Sequence, residues 1–412
     1  MLGLIDKPFG LGRVRCIRLM RPLLMFVLGL GLAFGMTVSV TASAVLQPVS
    51  YPPSDQQNLA VPLGYDPQIF GHDSFSADRP ALVGAIDHSL GYLNTPVAGQ
   101  AYRDYPVASI TRDRVRRSLI RFRELLRETD DAEALRVAVA EDFEFYRTIG
   151  NDDQGTVAFT GYFEPTYGAS RVRTDTYRYP LYRVPPTLDR WASPHPTRIE
   201  LEGADGLQAN QGPLRGLELV WLRDRLEAFL VQVQGSARLQ LTDGSVMSVG
   251  YAGRTDYAYT SIGRQLIDDG KIREEDLSLP VLLDYFRAHP DALNVYLPRN
   301  QRFVFFRATN GAPPTGSLGV PVTAGRSIAT DKTVMPPGAL ALISLSMPMQ
   351  DCSGTWGSES VNRYVLDQDT GGAIRGPGRV DLFVGTGIEA GEQAGLINTN
   401  GTLYYLLLKD EG

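Results

Sequence analysis

Cysteine is nearly absent from this chain: Cys16 and Cys352 are the only two in 412 residues, so no disulfide framework can hold the fold. Histidine is almost as scarce. His72, His88, His195 and His289 show no His-x-x-x-His or Glu-x-x-His spacing and no cysteine pair supports them, which argues against a zinc site built by the protein. There is no G-x-S-x-G elbow and no glycine-rich loop ending in Lys-Ser or Lys-Thr, so the common serine-hydrolase and nucleotide-binding templates find no support. A net charge of -6 without a basic patch argues against nucleic acid as a partner.

What is present is an ordinary globular composition, 43% hydrophobic and 21% charged, on a chain long enough for two or three domains. The N-terminus stands apart. Arg13, Arg15, Arg18 and Arg21 precede an uncharged apolar run over residues 23–40, and small residues follow to Ala44, the pattern of a secretory signal cleaved near Ala44. The competing reading is an uncleaved anchor, because the run approaches a membrane-spanning length. Either way the expectation is an exported protein of the periplasm or cell envelope, with membrane association through an uncleaved segment left open. Cys16 precedes the apolar run, so it is badly placed for lipidation.

Residues 45–108, rich in Pro, Gly and Tyr, read as irregular structure wrapped on a core. From Arg112 the spacing of Val115, Leu119, Phe122 and Leu126 predicts a helix, and Asp130 or Asp131 caps a second whose face carries Leu135, Val139, Phe143 and Tyr146. Strands follow at residues 157–165, 179–185, 217–222 and 228–237, and the TDGS sequence at 242–245 signals a type I′ hairpin. Helices are expected at about 261–269, stopped by Gly270, and from Ser278–Pro280 to about Ala288. From residue 302 short strands resume, at 302–306, 320–323, 339–343, 364–366, 380–384 and 403–408, and their number and spacing suggest closed barrels rather than a parallel sheet.

The chemistry concentrates near the C-terminus, where DTGGAIRG at 369–376 is followed by VDLF at 380–383. Glycines at Gly371 and Gly372 let the chain turn tightly and let a ligand approach the backbone. Asp381, between core-facing residues of a short strand, is expected to be partly desolvated, which raises a carboxyl toward the range of a general acid. Two solvated aspartates at a turn are the plain alternative.

Several stretches together resemble the membrane-bound lytic murein transglycosylase A family with its C-terminal three-aspartate (3D) domain: FTGYFEP at 159–165, YPLYRVP at 179–185, VQVQGS at 231–236, YAGRTDYAYTSIG at 251–263, GRSIATD at 325–331 and the DTGGAIRG segment. The likeness runs from about Phe159 to the C-terminus. It implies a mainly β fold with some helices: a double-psi β-barrel domain carrying an inserted, smaller β-barrel-like domain, with a glycan groove between them. On this map residues 1–44 are the leader, 45–165 the helical region and first part of the barrel, 166–301 the insert, and 302–412 the rest of the barrel.

The resemblance further implies cleavage of the β-1,4 bond between N-acetylmuramic acid and N-acetylglucosamine of peptidoglycan, leaving 1,6-anhydromuramyl ends, with no cofactor and no metal. By motif Asp381 is the acid/base and Asp369 its support; Asp331 is the third acid, or else a turn cap preceding Pro336. Tyr162, Gln234, Ser236, Tyr251, Asp256, Tyr259 and Asp331, with Gly371 and Gly372, are the expected substrate contacts. Two alternatives stay open: a polysaccharide-binding or wall-loosening module without catalysis, and an ordinary hydrolase pairing Asp381 with Glu164 or Asp369.

Overall fold

The computed structural model describes residues 45–51, 61–71, 77–351 and 353–409. The leader expected in residues 1–44 lies outside them, as do Cys16, His72 and Cys352.

The chain opens with strand β1 (Leu46–Val49), then helices α1 (Arg79–Leu93), α2 (Pro96–Arg103), α3 (Arg112–Glu128) and α4 (Ala132–Asp142). The region expected to be irregular therefore holds two helices. Thr95 and Thr111 cap α2 and α3 by accepting from the backbone N–H three residues on, and Asp131 does the same for α4. On α3, Val115, Leu119, Phe122, Leu125 and Leu126 form one buried stripe at helical spacing. Phe143 and Tyr146 do not continue α4: the chain switches at Phe143 to strand β2 (Phe143–Thr148), where aromatic and β-branched residues favour pleated packing.

β3 (Val157–Glu164), β4 (Thr166–Ser170), β5 (Tyr179–Tyr182), α5 (Arg198–Glu202) and β6 (Glu218–Leu222) lead to α6 (Arg225–Gln234). The strand expected at 228–237 is thus a helix for most of its length. Alternation in a short apolar run does not separate the two states, and the ends decide. Asp224 accepts from the N–H groups of Leu226 and Glu227, while Gly235 takes the left-handed conformation at φ 83° that closes the helix. β7 (Ser236–Leu241) and β8 (Val246–Arg254) form the expected hairpin, but with a different turn. Only Gly244 has positive φ there, so the turn is type I closed by a left-handed glycine rather than type I′.

α7 (Ile262–Asp268), α8 (Leu279–Ala288) and α9 (Leu293–Tyr296) precede β9 (Val304–Ala308), β10 (Ser327–Ala329), β11 (Leu340–Gln350), β12 (Trp356–Asp369), β13 (Arg379–Thr386), α10 (Ile388–Leu396) and β14 (Asn398–Leu408). The strand expected at 320–323 reduces to an isolated bridge between Thr315 and Pro321.

These strands make two sheets. In the first, β14, β11, β12, β10, β13 and β3 follow in order, and β3 pairs back to β14, closing a six-stranded barrel; β2 and β1 extend from β14 outside the ring. β10–β12 and β13–β3 are parallel and the other pairings antiparallel. The barrel interior and the packed helices share one core containing Phe122, Phe159, Val380, Leu382, Tyr404 and Tyr405. The second sheet runs β5, β6, β4, β7, β8, β9 over its own core. Because β9 pairs with β8, this sheet extends to Ala308, beyond the boundary expected at residue 301.

Short β10 is anchored by charge. Arg326, fully buried, bonds Asp66 and Asp78, and Arg363 also reaches Asp66. Burial acts to raise the Asp66 carboxyl, yet Arg326 and Arg363 outweigh it and hold the group below its ordinary value. β10 is the neighbour of Asp381, with Ala329 directly opposite.

Candidate functional site

Asp381 sits mid-strand in β13, between β10 and β3, in parallel register with Thr160. Thr160 Oγ1 donates to Asp381 Oδ1 at 2.9 Å, and Arg379 Nη2 donates to the same hydroxyl at 3.1 Å. Burial against the barrel wall pushes the carboxyl up to about 6; the Thr160 bond and the Arg379 charge oppose the rise and the Asp369 charge adds to it. A half-buried carboxyl with this poise can give up and take back a proton near neutral pH.

Asp369 ends β12. Its Oδ2 accepts from the Tyr162 hydroxyl at 2.9 Å, and its Oδ1 accepts from Ser317 N at 2.7 Å and Thr370 N at 2.8 Å. Burial raises it, opposed by those three bonds and by Lys332. Three donors orient this carboxylate, whereas among the described residues Asp381 has one. Tyr162 packs its ring 5.2 Å from that of Phe383, so its hydroxyl is committed to Asp369 and its ring to the wall.

A layer beneath these groups is invisible in the sequence motif. Asp367, fully buried, accepts from Thr330 Oγ1 at 2.7 Å, from the Tyr405 hydroxyl at 2.8 Å and from Lys332 Nζ. Lys332 also reaches the carbonyl of Asp369, which ties this buried pair to the end of β12. Asp331 lies at the far end of the glycine-rich loop. Burial acts to raise it, but the N–H of Gly376 at 2.9 Å and the hydroxyl and N–H of Thr333 hold it below its ordinary value. Its oxygens serve the loop.

From the loop after β8, Tyr259 stands beside Gly372: a Cβ at Gly372 would lie 3.2 Å from Tyr259 Cβ. Burial raises the Tyr259 phenol, with Arg302 and Arg379 opposing and Asp381 adding to the rise. Of the remaining expected contacts, Gln234 and Asp256 have partners within the protein. Gln234 Oε1 accepts from Phe163 N at 3.1 Å, joining α6 to the barrel strand β3. Asp256 accepts from Ser193 Oγ at 2.7 Å and His195 N at 3.0 Å, which fastens that loop. Ser236 begins β7 opposite Gly250, and Tyr251 is 44% exposed on β8. Glu164, 1% exposed, accepts from Thr386 Oγ1 at 2.9 Å and pairs with Arg238 at 3.4 Å, so it is enclosed between the two sheets. Among the described residues no cluster of three His, Cys, Asp or Glu could hold a metal ion.

Thr160, Lys332, Asp367 and Arg379 were not singled out from the sequence. Thr160 lies inside the FTGYFEP motif and Lys332 directly follows GRSIATD, but only strand pairing across 221 residues brings the Thr160 hydroxyl to Asp381.

Two family models match the chain: the MltA specific insert domain over residues 158–307 and the 3D domain over residues 326–407. Membrane-bound lytic murein transglycosylase A of Escherichia coli (strain K12) is 34% identical over 259 residues, 62% of this chain and 67% of the relative. Its namesake in Vibrio cholerae is 34% identical over 265 residues, 63% of this chain and 68% of the relative. Among solved structures, membrane-bound lytic murein transglycosylase from Agrobacterium tumefaciens superposes with a TM-score of 0.64 at 28% identity, covering 80% of this chain and 93% of that one. Escherichia coli MltA with bound chitohexaose gives 0.61 at 28% identity, covering 80% and 90%. With 34% identity over 67% and 68% of the length of the Escherichia coli and Vibrio cholerae relatives, and both family models matched in order along the chain, the protein belongs to the membrane-bound lytic murein transglycosylase A family.

Proposed function

We propose that this protein is a lytic transglycosylase of peptidoglycan, cutting the β-1,4 bond between N-acetylmuramic acid and N-acetylglucosamine with Asp381 as its sole acid/base. The observation that carries the residue assignment is the Asp381 carboxyl raised to about 6 at the barrel wall, with Asp369 and Glu164 already engaged by donors. Protonated Asp381 gives its proton to the glycosidic oxygen as the C1–O bond breaks. The sugar's own C6 hydroxyl then attacks C1, and ionised Asp381 takes the hydroxyl proton, which closes the 1,6-anhydro ring. Because the nucleophile belongs to the substrate, its placement costs little entropy and no second carboxylate is needed to activate water.

Asp369 acts as support, its negative charge favouring the protonated form of Asp381. The glycan lies between a barrel built from residues up to 165 and after Ala308, and an insert formed by the chain between. The two parallel pairings in the ring support a double-psi barrel. Tyr259, Gly371 and Gly372 line the groove beside Asp381, with Tyr162 behind them; Gln234, Ser236, Tyr251 and Asp256 shape the insert's side. No cofactor is called for. The relatives are named membrane-bound, and among the described residues no helix is long and apolar enough to cross a membrane. We place the enzyme in the periplasm or cell envelope.

Digestion of purified sacculi followed by mass analysis tests the reading. Anhydro-ended muropeptides are expected from the wild type and none from Asp381→Asn, which keeps binding glycan. Reducing ends would show an ordinary hydrolase instead, and bound but uncut sacculi a wall-binding module.

A further inference from the structure

We propose that Arg302, with Arg254 and Arg375, forms a carboxylate-binding wall at the edge of the cleft, which selects the acidic muramyl part of the glycan over neutral sugar. This rests on the glycan-cleaving reading above and extends it to a feature that reading does not use.

Arg302 lies two residues before the insert's last strand, and its backbone is fixed on both sides. Its N–H donates to Asn300 Oδ1 at 3.2 Å, and its carbonyl accepts from the fully buried Arg198 guanidinium at 2.7 Å. Arg198 also donates to the Asn300 carbonyl at 2.9 Å and to Gln232 Oε1 at 2.7 Å, so the short segment from Asn300 to Arg302 is clamped to α6. From this fixed base the side chain crosses to the glycine-rich loop. A Cβ at Gly372 would lie 2.3 Å from Arg302 Nη1, so the guanidinium rests on loop backbone that only glycine leaves open, beside Tyr259.

The head group is half-buried and has no hydrogen-bond or ion-pair partner among the described residues. Burial works against its charge, Arg254 and Arg375 work in the same direction, and only the phenols of Tyr251 and Tyr259 oppose them. Arg254 donates to the Thr255 carbonyl at 3.1 Å, and Arg375 lies 3.9 Å from Asp331 Oδ1, an oxygen already accepting from Thr333. Three guanidinium groups thus act on one another here, and among the described residues Arg375 alone of the three has a carboxylate, already bonded, within ion-pair distance. A planar fork of N–H donors held without an acceptor matches a carboxylate in shape and charge.

N-acetylglucosamine carries no charge. N-acetylmuramic acid carries a lactyl carboxyl, free in a peptide-free strand and amide-linked in a peptide-bearing one, where the peptide supplies its own carboxylates. The chemistry recognised is the carboxylate, and the two sources are separable by substrate.

Binding is measured calorimetrically in an Asp381→Asn background, with chitohexaose, peptide-free glycan strands and peptide-bearing glycan strands as probes. Arg302→Gln is expected to weaken one or both acidic strands by about ten- to a hundredfold, the loss expected for charge-assisted hydrogen bonds, and to leave chitohexaose within about twofold. Arg302→Lys recovers part of the loss, and Arg375→Gln, a change at an exposed side chain, gives a smaller loss with the same selectivity. A loss confined to peptide-free strands assigns the lactyl group; a loss confined to peptide-bearing strands assigns the peptide. Equal weakening of all three probes, or no weakening by either Gln variant, overturns the proposal. Failure of the wild type to release anhydro ends from sacculi sinks the enzymatic reading instead, and the binding comparison is read independently of it.

Discussion

Replacing Thr160 by valine removes one hydroxyl while keeping the shape of the side chain, and the group it touches is the one that must hold a proton. Thr160 Oγ1 is the hydrogen-bond donor to Asp381 at 2.9 Å, and it opposes the rise that burial imposes. A hydrogen bond to a charged group contributes about 1.5–3 kcal/mol, and the protonated acid retains part of it. A difference of about 1.4 kcal/mol between the two protonation states corresponds to about one pH unit. Removing the donor therefore raises Asp381 from about 6 toward about 7. As a general acid Asp381 works protonated, so kcat/KM falls as pH rises through this value. The falling limb of the pH profile for anhydromuropeptide release should move up by about one pH unit in Thr160→Val and stay in place in Thr160→Ser. A limb that does not move in the valine variant, or moves down, would refute the assignment of the proton to Asp381.

Two other perturbations separate scaffold from site. Asp331→Asn should cost about 1–2 kcal/mol at pH 7 by weakening the bonds from Gly376 and Thr333. The folded carboxyl lies below its unfolded value, so its contribution is present above about pH 4 and is lost as pH falls through the folded value. The gap between the two proteins in urea titrations should narrow as pH falls below about 4; a gap that widens in acid contradicts the account. Arg326→Met leaves Asp66 buried with Arg363 as its remaining cation, and should cost about 3–5 kcal/mol in urea unfolding. A cost below about 1 kcal/mol would mean that burial of this cluster does not anchor β10.

Much of the architecture was legible because local chemistry is decisive at element ends. Thr111 and Asp131 cap α3 and α4, Ser261 and Ser278 cap α7 and α8, and short apolar runs between glycine and proline turns gave most barrel strands. The failures are equally local. The run at 228–237 alternates like a strand, but Asp224 and Gly235 close it as a helix, and the turn at Gly244 has one left-handed residue where two were expected. At the site, DTGGAIRG and VDLF marked Asp369 and Asp381 because an acid between core-facing residues is chemically conspicuous. Their partners were not conspicuous: a threonine in a strand, a lysine after an aspartate and an arginine before a strand carry no signal alone.

By itself the sequence determined the poor supply of cysteine and histidine, the mainly β composition of the elements and the two acids around a glycine-rich turn, since each follows from residue type and short-range spacing. Tertiary structure decided what those acids experience. Parallel pairing of β3 with β13 brings Thr160 to Asp381, and three donors gather on Asp369 from β3, from its own loop and from the segment before β10. The insert delivers Arg302 to the glycine loop across 70 residues of sequence. A carboxyl's proton affinity depends on desolvation and on charges placed by distant strands, and neither is a property of the local sequence.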